Sequence, residues 1–112
     1  QVLGSKVLIM GFTFKENCPD VRNTKVIDIY KALKEYNLDI TIYDPWANPE
    51  IVRHEYGIEV MNGLPVEKFD TVILAVAHDQ FRCINIYSLL NNEYIIFDVK
   101  GFLGRESVDG RL

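Results

Sequence analysis

Unbroken apolar runs alternate along this chain with stretches in which apolar residues recur every third or fourth position. Val7-Leu8-Ile9-Met10 reads as the buried part of a first strand from Lys6 to Phe12. Val26, Ile29, Tyr30 and Leu33 then fall at helical spacing, with Ile27 and Tyr36 widening the stripe. Asn23 or Thr24 can cap that helix, and Asn37 suits a left-handed stop. Asp39 to Tyr43 forms a second strand, ended by Asp44-Pro45. Asn48-Pro49 opens a short helix, with a capping side chain followed by proline at the first helical position, and Gly57 closes it. Glu59 to Met61 is a short third strand. Thr71 to Ala77 is nearly all apolar, as a central strand covered on both faces would be. A helical patch over Ile84 to Leu90 and a fifth strand from Tyr94 to Asp98 complete the pattern.

Strands alternating with helices require right-handed crossovers and a parallel sheet. The expected fold is α/β, a doubly wound, Rossmann-like open sheet of about five strands in the order 3-2-1-4-5. The order reverses between strands one and four, which places a ligand crevice between the loop after Met10 and the loop holding His78. The first of these loops, Thr13 to Asn23, is eleven residues long, where a connection that only reverses the chain needs about two to six. It carries Lys15, Asp20 and Arg22. Lys15, Arg22, Arg82 and Lys100 are expected to converge on one mouth, giving the local positive charge that a diphosphate needs.

Composition narrows the partners. At 112 residues, 48% apolar and 25% charged, the chain is one domain of ordinary globular make-up. Its net charge of -4 argues against nucleic acid as the main ligand. No apolar run reaches the roughly 18 residues of a membrane span. Cys18 and Cys83 lack metal-ligand spacing and read as free thiols of a cytoplasmic protein. The chain opens on Gln1, which suggests a piece of something longer.

Several residues invite chemistry that the pattern does not support. Gly11 lacks the second and third glycines of a dinucleotide-binding turn, so Asp44, placed where such a domain reads a ribose, reads instead as a turn-former. His78 ends the central strand, where it can act as a base, contact a ligand or simply line the turn beside a capping Asp79. His54 stands alone on a surface helix. Cys18 has only Lys15 and Arg22 to activate it. Asp20 pairs with one of those cations or caps the loop. Lys100, ahead of Gly101, can reach into the crevice. No catalytic residue and no metal site is assigned.

Taken together, Gly11-Phe12-Thr13-Phe14-Lys15, Asp20-Val21-Arg22, Tyr43-Asp44-Pro45, Ala77-His78-Asp79-Gln80-Phe81 and Asp98-Val99-Lys100-Gly101 resemble the C-terminal domain of the UDP-glucose/GDP-mannose dehydrogenase family over nearly the whole chain. Asp20-Val21-Arg22-Asn23-Thr24-Lys25-Val26 and Asp98-Val99-Lys100-Gly101 look most like the branch acting on UDP-N-acetylhexosamines in bacterial surface-polysaccharide synthesis. The resemblance implies an NAD-dependent oxidation of a sugar C6 hydroxyl to a carboxylate, through a thiohemiacetal on a cysteine. That cysteine, the NAD-binding domain and the central domain belong to earlier segments in the family. Residues 1–112 would then be a single UDP-binding domain at the C-terminal end of a homo-oligomeric enzyme, inactive by itself. The family pattern makes Phe14, Lys15 and Lys100 contacts to the UDP-sugar and Arg22 a contact to NAD. A receiver-like signalling module is the alternative, but the first strand ends without the acid pair it needs. A stand-alone nucleotide-binding protein is a second, disfavoured by the missing glycines.

Overall fold

A computed structural model describes residues 5–99. Four parallel strands, β1 (Lys6–Met10), β2 (Asp39–Tyr43), β3 (Phe69–Leu74) and β4 (Leu90–Asp98), form one sheet in the order β2-β1-β3-β4. The expected third strand contributes one parallel bridge, Tyr43 to Met61, on the outer side of β2. The expected 3-2-1-4-5 order is therefore present with its outermost strand reduced to a bridge, and the fourth and fifth expected strands are β3 and β4. No helix among the described residues is long and apolar enough to cross a membrane.

β1 is central, running from Lys6 opposite Asp39 to Met10 opposite Tyr43 on one side and from Val7 opposite Thr71 to Met10 opposite Leu74 on the other. Alternation across the pleat sends Val7, Ile9, Ile42 and Ile73 to one face, where they meet Val26 of α1 (Val26–Lys34) and Val52 of α2 (Pro49–Tyr56). Leu8, Met10, Val72, Leu74 and Ile96 point to the other face, covered by Phe81, Ile86 and Leu89 from two short 3-10 turns, Asp79–Cys83 and Ile86–Leu89. Ile73 and Val76 are buried, as a strand covered on both faces requires.

Local signals set most boundaries. Asn48 accepts hydrogen bonds from the Glu50 and Ile51 amides, Pro49 follows at the first helical position, and Gly57 closes α2 at φ 71°. At α1 the N-cap position falls on Lys25, which makes no side-chain cap bond; Thr24, one residue earlier, accepts from the Val26 amide through Oγ1 at 3.1 Å, and Asn23 takes φ 63°. Asn37 has φ 59°, the expected left-handed stop.

Other boundaries differ from expectation. β1 ends at Met10 rather than Phe12, and β3 runs from Phe69 to Leu74 rather than from Thr71 to Ala77. α1 ends at Lys34, which leaves Tyr36 exposed and outside the apolar stripe. The patch from Ile84 to Leu90 breaks into 3-10 turns. There Asn85 caps Tyr87 with its side chain and accepts from Ser88 Oγ with its carbonyl, local bonds that compete with a continuous helix. β4 begins four residues early, at Leu90, because Leu90 pairs with Phe69 before the register slips to Thr71 opposite Ile95. Asp70 sits at that slip, accepting from the Lys6 amide and from Asn91 Nδ2.

Candidate functional site

β1 is followed by a glycine at which a side chain would be strained. Gly11 has φ 102°, and a Cβ there would lie 2.6 Å from Val76 Cβ and 2.8 Å from Val76 N. This close approach lets the β1 and β3 exits run side by side at the switch point, where the strand order reverses. Phe12 and Thr13 then pass beneath the surface, both buried, before the chain emerges at Phe14.

Three loops are joined below that surface by a buried polar hub. Asp44, the residue after β2, is fully buried. Its Oδ2 accepts from the amides of Phe12 at 2.6 Å and Thr13 at 3.1 Å, and its Oδ1 from those of Trp46 and Ala47. His78, the fourth residue after β3, is also fully buried, with Nε2 2.9 Å from the same Oδ2 and 3.1 Å from Thr13 Oγ1. Its Nδ1 accepts the Asn17 amide at 2.8 Å, which assigns the ring proton to Nε2 and its hydrogen bond to Asp44. Burial would raise the Asp44 pKa, but hydrogen bonds from His78 and from the Phe12 and Trp46 amides outweigh it and hold the carboxyl below its ordinary value. Of the roles open to His78, the geometry selects the lining of the turn. Asp44 is the turn-former expected of it.

The loop above this hub is tightly made. The Phe14 amide bonds the Asp20 carbonyl at 2.7 Å, closing the loop at its base, and Thr13 Oγ1 donates to the Lys15 carbonyl. Asn17, at φ 56°, bonds the Asp79 amide through Oδ1. Tyr56 of α2 donates to the Val21 carbonyl and meets Phe12 edge to face at 5.4 Å. So built, the loop carries Phe14, half exposed, and Lys15 and Glu16, exposed, out from the carboxyl edge of the sheet.

Of the four cations expected at the mouth, two are ion-paired among the described residues. Arg22 forms a fork onto Asp20, Nε to Oδ1 at 3.0 Å and Nη2 to Oδ2 at 3.1 Å. Hydrogen bonding within this exposed pair lowers the Asp20 pKa and raises that of Arg22. Arg82 lies 3.9 Å from Asp79. Lys15 makes no side-chain ion pair among the described residues, and Lys100 lies outside them. Of the three expected cations that lie among the described residues, Lys15 is the one without an ion pair there. Cys18 and Cys83 are free thiols, and His54 is an exposed neighbour of Glu55. Among the described residues no group of three or more His, Cys, Asp or Glu side chains is placed to hold a metal ion.

The site does not fit NAD as a dinucleotide-binding turn would. Such a turn offers its amides to the pyrophosphate at the start of a helix. Here the Phe12 and Thr13 amides are held by Asp44, and α1 starts only at Val26. Sequence reasoning missed the parts played by Thr13 and Asn17. The one signal for Asn17 was an asparagine inside a long loop, a residue type that tolerates positive φ.

Comparison with known proteins agrees with this arrangement. A model of the UDP binding domain of the UDP-glucose/GDP-mannose dehydrogenase family matches residues 8–105. The chain is 46% identical over 112 residues to a UDP-N-acetyl-D-glucosamine 6-dehydrogenase of Pseudomonas aeruginosa, covering 97% of this chain and 26% of that protein. It is 44% identical over 114 residues to the enzyme of the same name in Salmonella typhi, covering 99% of this chain and 27% of that one. The chain therefore spans about a quarter of the length of these relatives. The solved UDP-D-ManNAc dehydrogenase of Pyrococcus horikoshii shares the fold, with a TM-score of 0.72 at 17% identity over 98% of this chain and 25% of that one. A parallel sheet that offers a pinned loop instead of a glycine turn, and a family match over nearly all its length, make this chain a member of the UDP-glucose/GDP-mannose dehydrogenase family, corresponding to its UDP binding domain.

Proposed function

We propose that this chain is the C-terminal UDP-sugar-binding domain of an NAD-dependent nucleotide-sugar 6-dehydrogenase, one that oxidises a UDP-N-acetylhexosamine for surface-polysaccharide synthesis. The observation that carries the proposal is the pairing of a half-exposed Phe14 with an ion-pair-free Lys15 on a loop anchored at the switch point. An aromatic face suits a uracil ring, and an adjacent ammonium suits a diphosphate oxygen. The names of the two bacterial relatives favour the N-acetylhexosamine branch. Lys100 adds a contact on the uridine side.

NAD belongs mainly to another domain of the whole enzyme, since the Gly11 turn has no free amides for it. Arg22 reaches it across the domain cleft. Its guanidinium uses two of five N–H donors on Asp20 and keeps the rest for a partner. The group supplies the hydride acceptor. This chain's part is to hold and orient the nucleotide end of the substrate.

Titration calorimetry of the full-length enzyme with UDP tests the assignment. A charge-assisted hydrogen bond is worth about 1.5–3 kcal/mol, so Lys15→Ala should weaken UDP binding about tenfold or more. Unchanged affinity would remove Lys15 from the site. Arg22→Ala should raise the KM for NAD more than that for the UDP-sugar, and the opposite ordering would mean that Arg22 serves the sugar nucleotide.

A further inference from the structure

We infer that His78, acting through Asn17, is the positioning residue that sets where Phe14 and Lys15 stand in the nucleotide site. This inference rests on the proposal that those two residues bind UDP. A buried position just beyond an apolar strand is one that leucine or phenylalanine could fill without any hydrogen-bond requirement. The chain instead places an imidazole there with no exposed surface and uses both of its nitrogens. Nε2–H is anchored on Asp44, and the Nδ1 lone pair receives the amide of Asn17 at the far side of the Lys15 turn. Asn17 returns the link by accepting the Asp79 amide, one residue beyond His78. The β1 loop and the β3 loop are thereby stapled twice, over a span of 61 and 62 positions in sequence.

Other bonds hold the two ends of the loop, from Asp44 to the Thr13 amide at its start and from Tyr56 to the Val21 carbonyl at its far end, and do not reach the β3 exit. Phe14 to Asp20 and Thr13 to Lys15 shape the loop without fixing its place relative to the rest of the site. Among the described residues, only the His78 and Asn17 bonds tie the segment next to Lys15 to the adjacent β3 exit. Asp44 is the charged group facing the ring from the β2 side, and Asp79 follows it on the β3 side. The Trp46 and Phe81 rings enclose the imidazole, with centroids 6.2 and 5.3 Å from its own. In this setting the ring is held as one tautomer and presents one acceptor, so the loop has one docking position. Its role is geometric and needs no proton transfer.

The test is UDP affinity in the full-length enzyme, measured by calorimetry well below the unfolding temperature, for His78→Phe, His78→Gln, Lys15→Ala and the Lys15→Ala/His78→Phe double variant. Phenylalanine fills the space but offers no acceptor. Glutamine offers a carbonyl for Asn17 and an amide for Asp44 at a similar separation. His78→Phe should weaken UDP binding roughly tenfold, and His78→Gln should recover most of the loss. The double variant should bind about as weakly as Lys15→Ala alone, because a displaced loop cannot lose a contact already removed. A role confined to stability would instead leave affinity unchanged, and its thermal cost would not depend on Lys15. Wild-type affinity in His78→Phe, losses that multiply in the double variant, or no recovery with glutamine would each overturn the inference while Lys15→Ala still reports binding by the loop. If Lys15→Ala itself binds normally, the underlying site assignment fails, and this inference with it. If His78→Phe does not fold, Asn17→Gly replaces it. That change keeps the N–H and the positive φ and severs only the bond to Asp79, and the same coupling to Lys15 is expected at roughly threefold.

Discussion

At the scale of single residues, Gly11 and Asp44 hold the site in place. Gly11→Ala adds a Cβ 2.6 Å from Val76 Cβ and 2.8 Å from Val76 N, at φ 102°. Overpacking and an unfavourable φ each cost about 1–3 kcal/mol, and backbone on the far side cannot yield as a flexible side chain would. Urea unfolding should show at least about 2 kcal/mol of lost stability, and a change within about 0.5 kcal/mol would contradict the close approach. Asp44→Asn removes the charge that accepts from His78 and from the four amides of Phe12, Thr13, Trp46 and Ala47, and turns one accepting oxygen into a donor, so it should cost about 1.5–3 kcal/mol. The Asp44 pKa is lowered in the folded protein. The unfolded chain therefore takes up the proton first as pH falls. Its stabilisation is complete above the ordinary value of 3.8 and is lost as pH drops through the lowered one. The acid limb of a stability–pH curve should be flatter in Asp44→Asn than in the wild type below about pH 4. An unchanged acid limb would show that Asp44 is not the group responsible.

At the scale of elements, α2 depends on its ends more than on its length. Eight residues are too few for a helix to persist by propensity alone. Asn48, Pro49 and Gly57 supply the cap, the starting φ and the left-handed stop, and Val52 supplies the buried anchor. Asn48→Ala should cost about 1 kcal/mol, read as a lower denaturant midpoint with an unchanged m-value. A fall in m-value would point to a change in the denatured state instead. These signals lie within a few residues of one another, which is why the sequence predicts α2 at both ends. The patch from Ile84 to Leu90 departs from the expected helix for the opposite reason. Its apolar spacing fits a helix, but Asn85 and Ser88 spend their side chains on local backbone bonds, so two turns form instead.

At the scale of the whole molecule, the described residues offer neither a dinucleotide-binding turn nor a cluster placed to hold a metal ion. The Phe12 and Thr13 amides are held by Asp44, and the free thiols of Cys18 and Cys83 have as cationic neighbours in sequence only Lys15 and Arg22 for the first and Arg82 for the second. Nicotinamide positioning and nucleophilic catalysis each supply several powers of ten in rate. The 112-residue chain, mixed with NAD and UDP-N-acetylglucosamine, should therefore give no NADH absorbance above a control without protein. Steady NADH production lost in Cys18→Ser would refute this and make Cys18 a nucleophile.

The sequence by itself determined the parallel α/β architecture, the strand order, the caps of α2, the left-handed Asn37 and the long loop after β1. Each depends on apolar periodicity or on turn chemistry among near neighbours, which any chain displays before it folds. Only the tertiary structure decided which polar groups meet. Asp44 and His78 are 34 positions apart, and Thr13 and His78 are 65 apart. Their meeting follows from β1 lying between β2 and β3, which brings three strand exits together at one edge. The same packing decided that Arg22 turns onto Asp20 while Lys15 stands clear, a distinction that residue type alone does not carry. Local propensity acts over a turn or two of chain. The partner of a buried charge is set by the sheet order, and that order exists only once the sheet has formed.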